Sequence, residues 1–137
     1  MIALDTNVLV RFLTGDDPDQ LADASALLDR LTPAAPGFIA REVAVELVWV
    51  LHRGYRLPRR RVAAILTELL ETRGLLFENA ADVARAAAEY GRGGPEFADR
   101  MILAAVRRME AGPLYTFDGG LSRVRDVAAV PRSGPGE

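Results

Sequence analysis

A chain of 137 residues, half of them apolar, with a net charge of −2 and no cysteine, is already bounded by those numbers. A chain of this length suits one globular domain that buries roughly 70% of its unfolded surface. The missing cysteines exclude disulfides, thiolate zinc sites and a cysteine nucleophile, and the slightly acidic balance gives no global positive field for nucleic acid. All 17 basic residues are arginine, so mechanisms that need a lysine are excluded too.

No basic region followed by a long apolar run opens the chain, and no apolar run approaches the ~20 residues of a membrane span. A soluble, cytoplasmic protein without membrane association is therefore expected. Ile2–Asp5 reads as a first strand, apolar on both sides and suited to the middle of a parallel sheet. The polar break Asp5-Thr6-Asn7 consists of favoured N-cap residues. A short helix over Asn7–Thr14 is predicted, capped by Asp5, Thr6 or Asn7 and stopped by Gly15. Pro18–Leu31 keeps helical spacing through Leu21, Ala24, Leu28 and Leu31, with Pro18 suited to a first turn.

Gly37–Ala40 is a brief second strand, followed by a helix from Arg41 to His52 that Gly54 closes. Pro58–Thr72 is a helix with Val62, Ile65, Leu66, Leu69 and Leu70 on one face. Leu75–Phe77 reads as a third strand, Ala81–Tyr90 as an alanine-rich helix and Glu96–Glu110 as the last helix. Leu114–Phe117 gives a fourth strand and Val127–Val130 a fifth, while the Pro/Gly/Ser-rich tail Pro131–Glu137 is expected to be disordered. Strands alternating with helices predict an α/β domain over residues 1–130, with a mainly parallel sheet of four to five strands flanked by helices.

In open parallel sheets, ligands bind outside the carboxyl ends of the strands. Asp5 ends the first strand and Asp118 follows the fourth, so both carboxylates belong at one edge of the domain. Glu46 lies in "REVAVELVWVL", where residues 43–45 and 47–51 are apolar. A helix apolar on every side is normally buried, so Glu46 is expected to be buried and then paired, neutralised or metal-bound; Arg41 and Arg11 are the candidate ion-pair partners. Asp99 falls in the first turn of its helix, where the macrodipole alone favours an acid. Glu96 shares its face, and two such acids repel unless a cation intervenes. Four oxygen donors without cysteine or lysine describe a hard-cation site for Mg²⁺ or Mn²⁺. Such an ion activates water and clamps phosphate, as phosphodiester hydrolysis requires.

The segments "LDTNVLVRFLTGDDP", "EVAVELVWVL", "EFADRMILAA" and "LYTFDGGL" stand in an order and spacing that resembles the PIN-domain ribonucleases, and within them the VapC-type toxins of bacterial toxin–antitoxin pairs. The resemblance spans about Met1 to Val130. It implies a three-layer PIN fold, a Mg²⁺- or Mn²⁺-dependent endoribonuclease leaving a 3′-hydroxyl and a 5′-phosphate, a cognate VapB-type antitoxin, an RNA substrate and a homodimer. The family's acidic quartet falls on Asp5, Glu46, Asp99 and Asp118, expected as both metal ligands and catalytic groups, with Glu46 orienting or deprotonating the attacking water. Thr6, Asn7 and Thr116 match supporting polar positions. Glu96 stands where many relatives carry aspartate, and Gly119 where a polar or basic residue is frequent.

In "HRGYRLPRRR", Arg53, Arg56, Arg59, Arg60 and Arg61 beside Tyr55 are the candidate RNA-phosphate contacts, or alternatively a solvated turn or a seat for an acidic antitoxin segment. The single histidine, His52, excludes a two-histidine ribonuclease mechanism and reads as a helix-end residue. A haloacid-dehalogenase-type phosphatase wants a second acid where Asn7 stands, and a lysine. Response-regulator receivers also need a lysine, and "DTNVLV" has no glycine for a phosphate loop. The rival of a different class is a non-catalytic PIN-like interaction module.

Overall fold

The computed structural model describes residues 1–134. Residues 131–134 carry no helix or strand, and the rest of the tail expected to be disordered, residues 135–137, lies outside the described residues. Five short strands and six helices alternate along the chain. Strands β1 (Ile2–Ala3), β2 (Gly37–Ile39) and β3 (Leu75–Phe77) form one parallel sheet in that order, with Ile2 opposite Gly37 and Phe38 opposite Leu76. Strands β4 (Leu114–Thr116) and β5 (Val127–Ala129) form a second parallel pair, with Leu114 opposite Val127.

The strand count and direction match the sequence expectation; the division into two sheets does not. Its cause lies in where the edge groups bond. The amides of Ile2 and Leu4 reach the carbonyls of Pro36 and Phe38, on the β2 side. The amides of Leu114 and Val130 bond Asp126 and Thr116 within the β4–β5 unit.

Helices α1 (Thr6–Thr14) and α2 (Pro18–Asp29) connect β1 to β2, and α3 (Arg41–Trp49) and α4 (Arg59–Glu71) connect β2 to β3. Helices α5 (Ala80–Gly91) and α6 (Phe97–Arg108) lead from β3 to β4. Asp5, rather than Thr6 or Asn7, is the N-cap of α1: its carboxylate accepts from the Thr6 amide at 2.8 Å. Gly15 closes the helix in the left-handed conformation that glycine adopts without a Cβ penalty. Val62, Ile65, Leu66 and Leu69 recur every three or four residues and bury one face of α4. They join Val83, Ala86, Ala87 and Tyr90 of α5, and Leu9, Leu47 and Leu51, in one continuous core.

Helix α3 stops at Trp49, and a π-helical turn over Val50–Gly54 replaces the predicted extension to His52. The Tyr55 amide closes that turn on the Val50 carbonyl. The expectation that α3 is buried all round also fails. Ala44, Leu47 and Val48 are buried, but Glu42, Glu46 and Trp49, which share the opposite face at helical spacing, are exposed. Packing against α1 and α6 covers two sides of α3 and none of the described residues covers the third, so Trp49 stands 64% exposed among its apolar neighbours.

Candidate active site

The carboxyl edge of β1 begins the site. Asp5 sits one residue past the buried Leu4, and its Oδ1 is fixed by the Thr6 amide. Thr6, 5% exposed, is the one buried polar residue among the described residues. Its hydroxyl donates a short hydrogen bond to Glu46 Oε1. Asp5 and Glu46 therefore meet through Thr6, and they line one cavity of about 340 Å³ with Asn7, Val10, Arg11 and Tyr55. Glu46 is not paired with arginine. Arg41 reaches Asn79, Asp82 and the Met101 carbonyl, and Arg11 reaches Gln20, Asp16 and Tyr55.

The other carboxylates cluster around the start of α6 and the end of β4. Asp99 is half-buried in the first turn of α6, and its carboxyl is held above the usual aspartate range, first by burial and then by the nearby charges of Asp118 and Glu96. Asp118 is exposed, and its Oδ1 accepts from the amides of Gly120 and Leu121 at the start of the 3-10 turn Leu121–Arg123. The Thr116 hydroxyl in turn accepts from the Asp118 amide at 3.0 Å. Thr116 thus shapes the loop that carries Asp118. Asn7 is exposed on α1 and lines the cavity of Asp5.

Asp5, Glu46 and Asp118 follow one pattern. A single oxygen of each carboxylate is bound by the fold, and the second has no partner among the described residues. Still, no group of three or more acidic or histidine side chains lies close enough to hold a metal ion among the described residues. The structure joins the quartet in two halves, Asp5 with Glu46 and Asp99 with Asp118.

Glu96 has a different fate. Arg59 and Arg53 approach its carboxylate at 3.3 and 3.6 Å, so Glu96 is paired with arginine while its charge still acts on Asp99. Arg59 is committed further: its guanidinium lies 4.5 Å from the Tyr90 ring centre and donates to the carbonyls of Tyr90 and Pro95. Of the arginines expected to meet phosphate, Arg59 is a brace within the fold, while Arg53, Arg56, Arg60 and Arg61 are exposed. His52 ends up in the π-helical turn, bonded to the Leu57 carbonyl at 2.8 Å.

The sequence reading missed the polar group at the far end of the Asp5 cavity. Arg11 is cross-tied to Asp16 and Gln20, and Tyr55 donates to Asp16 at 2.6 Å. Those partners lie 5 and 39 positions apart in the chain. No local pattern announces them; the one available signal was an arginine one turn past the polar break.

An α/β domain with acids at the carboxyl ends of parallel strands belongs to the class whose working edge is a row of carboxylates. Compared with known families, the chain matches the PIN domain over residues 2–127, and it belongs to the PIN-domain family. PIN domains are in general nucleases, which supports nuclease activity here, and the family's nucleases generally use divalent metal ions. No curated protein matches the chain.

Proposed function

We propose that the protein is a Mg²⁺- or Mn²⁺-dependent endoribonuclease and the toxin of a VapBC-type toxin–antitoxin pair, acting in the cytoplasm. The observation that carries this reading is the half-bound state of Asp5, Glu46 and Asp118, each anchored through one oxygen with the other unengaged. An all-oxygen donor set fits a hard divalent cation, and the mutual repulsion at Asp99 is the penalty such a cation relieves. Asp5 with Glu46 and Asp99 with Asp118 would hold the ion, two pairs that stand apart among the described residues and would have to draw together on it. When bound, it supplies activation of water and neutralisation of phosphate charge.

The chain's own residues do the rest. Thr6 fixes Glu46 Oε1, leaving Oε2 to orient the attacking water and accept its proton. Attack at phosphorus expels the 3′-oxygen and leaves a 5′-phosphate. Arg53, Arg56, Arg60 and Arg61 contact backbone phosphates near the site.

The test uses purified, antitoxin-free protein on RNA with Mg²⁺ or Mn²⁺. Cleavage is expected to stop with chelator. Asp5→Asn and Asp99→Asn should each lower the rate by more than the roughly 10–100-fold that outer-shell losses cost, with the unfolding midpoint little changed. A wild-type chain that cuts no RNA with either metal sinks the proposal. The absence of a three-carboxylate cluster among the described residues favours a second reading, a non-catalytic PIN-like binding module. Calorimetry separates the two: no Mn²⁺ binding, or binding undiminished in Asp5→Asn, selects the module.

The partners form part of the same proposal. Trp49 and Ile102, 64% and 50% exposed, line a largely apolar groove of about 470 Å³ between α3 and α6. Exposed apolar surface of this kind marks protein–protein contact, and we assign it to the homodimer. Light scattering should show a dimer that Trp49→Glu converts to a monomer, and a wild-type monomer at all concentrations rejects it. A small neighbouring gene for a DNA-binding protein, whose product co-purifies with this chain, is the expected sign of the antitoxin.

A further inference from the structure

The cavity that holds Asp5 and Glu46 presents a physical problem for any RNA strand. Two exposed carboxylates in one recess of about 340 Å³ repel a phosphodiester, and a cation fixed to the fold offsets that repulsion. Arg11 lines the same recess. Its guanidinium is held from two sides: Nε donates to Gln20, and Nη1 donates to Asp16 at 3.3 Å and Tyr55 at 3.5 Å. Nη2 has no partner among the described residues.

Asp16 is itself held by three side chains, two from α1 and one just past the π-helical turn. It accepts from the Thr14 hydroxyl at 3.0 Å and from Tyr55 at 2.6 Å, as well as from Arg11. A plain surface staple is the competing account, and its size argues against it. The Arg11–Asp16 pair is 35% and 46% exposed, a setting in which ion pairs are worth about 0–1 kcal/mol. Three separate segments converge to fix one guanidinium in return for that small gain. A guanidinium fixed in this way presents directed N–H donors to a phosphate, which a flexible lysine does not reproduce.

We propose that Arg11 binds the RNA phosphate next to the one being cut, with Asp16, Gln20 and Tyr55 as positioning residues that hold Nε and Nη1 and leave the Nη2 group to meet it. This rests on the nuclease reading above. The experiment measures kcat and KM for a short single-stranded RNA in Mn²⁺, and fluorescence anisotropy of the same RNA in EDTA, over a range of salt, for wild type, Arg11→Gln, Arg11→Lys and Tyr55→Phe.

Arg11→Gln is expected to raise KM and Kd by about tenfold with kcat nearly unchanged, and to lower the slope of log Kd against log salt by about 0.7. Arg11→Lys should restore the salt slope without restoring full affinity, and Tyr55→Phe should raise KM by a few-fold. Unfolding midpoints that fall while KM, Kd and salt slope stay at wild-type values make the network a structural staple and overturn the proposal. So does a loss confined to kcat. Arg11-dependent RNA binding without any cleavage in Mn²⁺ rejects the nuclease reading and leaves the phosphate seat standing; a chain that neither binds nor cuts rejects both.

Discussion

Thr6 joins two carboxylates that the chain keeps far apart, since its amide holds Asp5 and its hydroxyl holds Glu46. Thr6→Val keeps the shape and removes only the hydroxyl. A hydrogen bond to a charged group is worth about 1.5–3 kcal/mol at full burial, but Glu46 is exposed and regains water, so the stability loss should stay under about 1 kcal/mol. The catalytic loss should be larger, roughly 10–100-fold in kcat at constant KM, because Glu46 then loses its fixed orientation. Thr6→Ser should recover the rate, and a Thr6→Val enzyme of wild-type rate would reject this role. Residue types announced Asp5, since a polar break after an apolar strand is visible in the letters. How Asp5 divides its work was not visible: one oxygen caps α1, and the other stays unengaged. Nor was the exposure of Glu46, because apolar neighbours along a helix say nothing about whether another element arrives to cover them.

Helices α4 and α5 approach so closely at one point that a Cβ on Gly91 would lie 2.9 Å from the Cβ of Ala63. Alanine at position 91 gains about 0.5–1 kcal/mol of helix preference, while forcing extra volume into a packed interface costs about 1–3 kcal/mol. The second term wins, so Gly91→Ala should be destabilising by about 1 kcal/mol in urea unfolding; Gly91→Ala with unchanged or raised stability would show that the helices slide apart freely. Gly91 falls one residue past the Ala81–Tyr90 helix that the sequence predicts, because a glycine near a helix end normally marks a stop and the partner helix that requires it is distant in sequence. Most element positions follow from periodicity and punctuation, as with the apolar stripe of α4 and the Gly15 stop. The π-helical turn at Val50–Gly54 and the separate β4–β5 pair do not, since both depend on hydrogen bonds chosen after the elements have met. The arginine run illustrates the same limit: charge marks a surface, but only tertiary structure turns Arg59 inward onto Tyr90 and Glu96.

Tyr90 lies where several elements of the molecule converge, with His52 and Phe97 edge-on to its ring at 6.2 and 6.1 Å and Arg59 over its face. It is 1% exposed, and its hydroxyl has no hydrogen-bond partner among the described residues. Burial raises its pKa above the ordinary value of 10.0, with Arg59 and Arg53 pulling the other way and Glu96 adding to the rise. The sign for stability follows. An acid whose folded pKa is raised keeps its proton more tightly when folded, so its neutral form leaves stability unaffected below the unfolded value. As pH climbs through 10.0, the unfolded chain ionises first and stability falls until the folded phenol also ionises. Tyr90→Phe removes both this titration and the unpaired hydroxyl, whose burial costs about 1–3 kcal/mol. The variant should be as stable as wild type or about 1 kcal/mol more stable at neutral pH, and the gap should widen in alkali. Urea midpoints for both proteins from pH 7 upward decide the matter: parallel losses above pH 10, or a less stable Phe variant at neutral pH, would show that the hydroxyl is satisfied in solution.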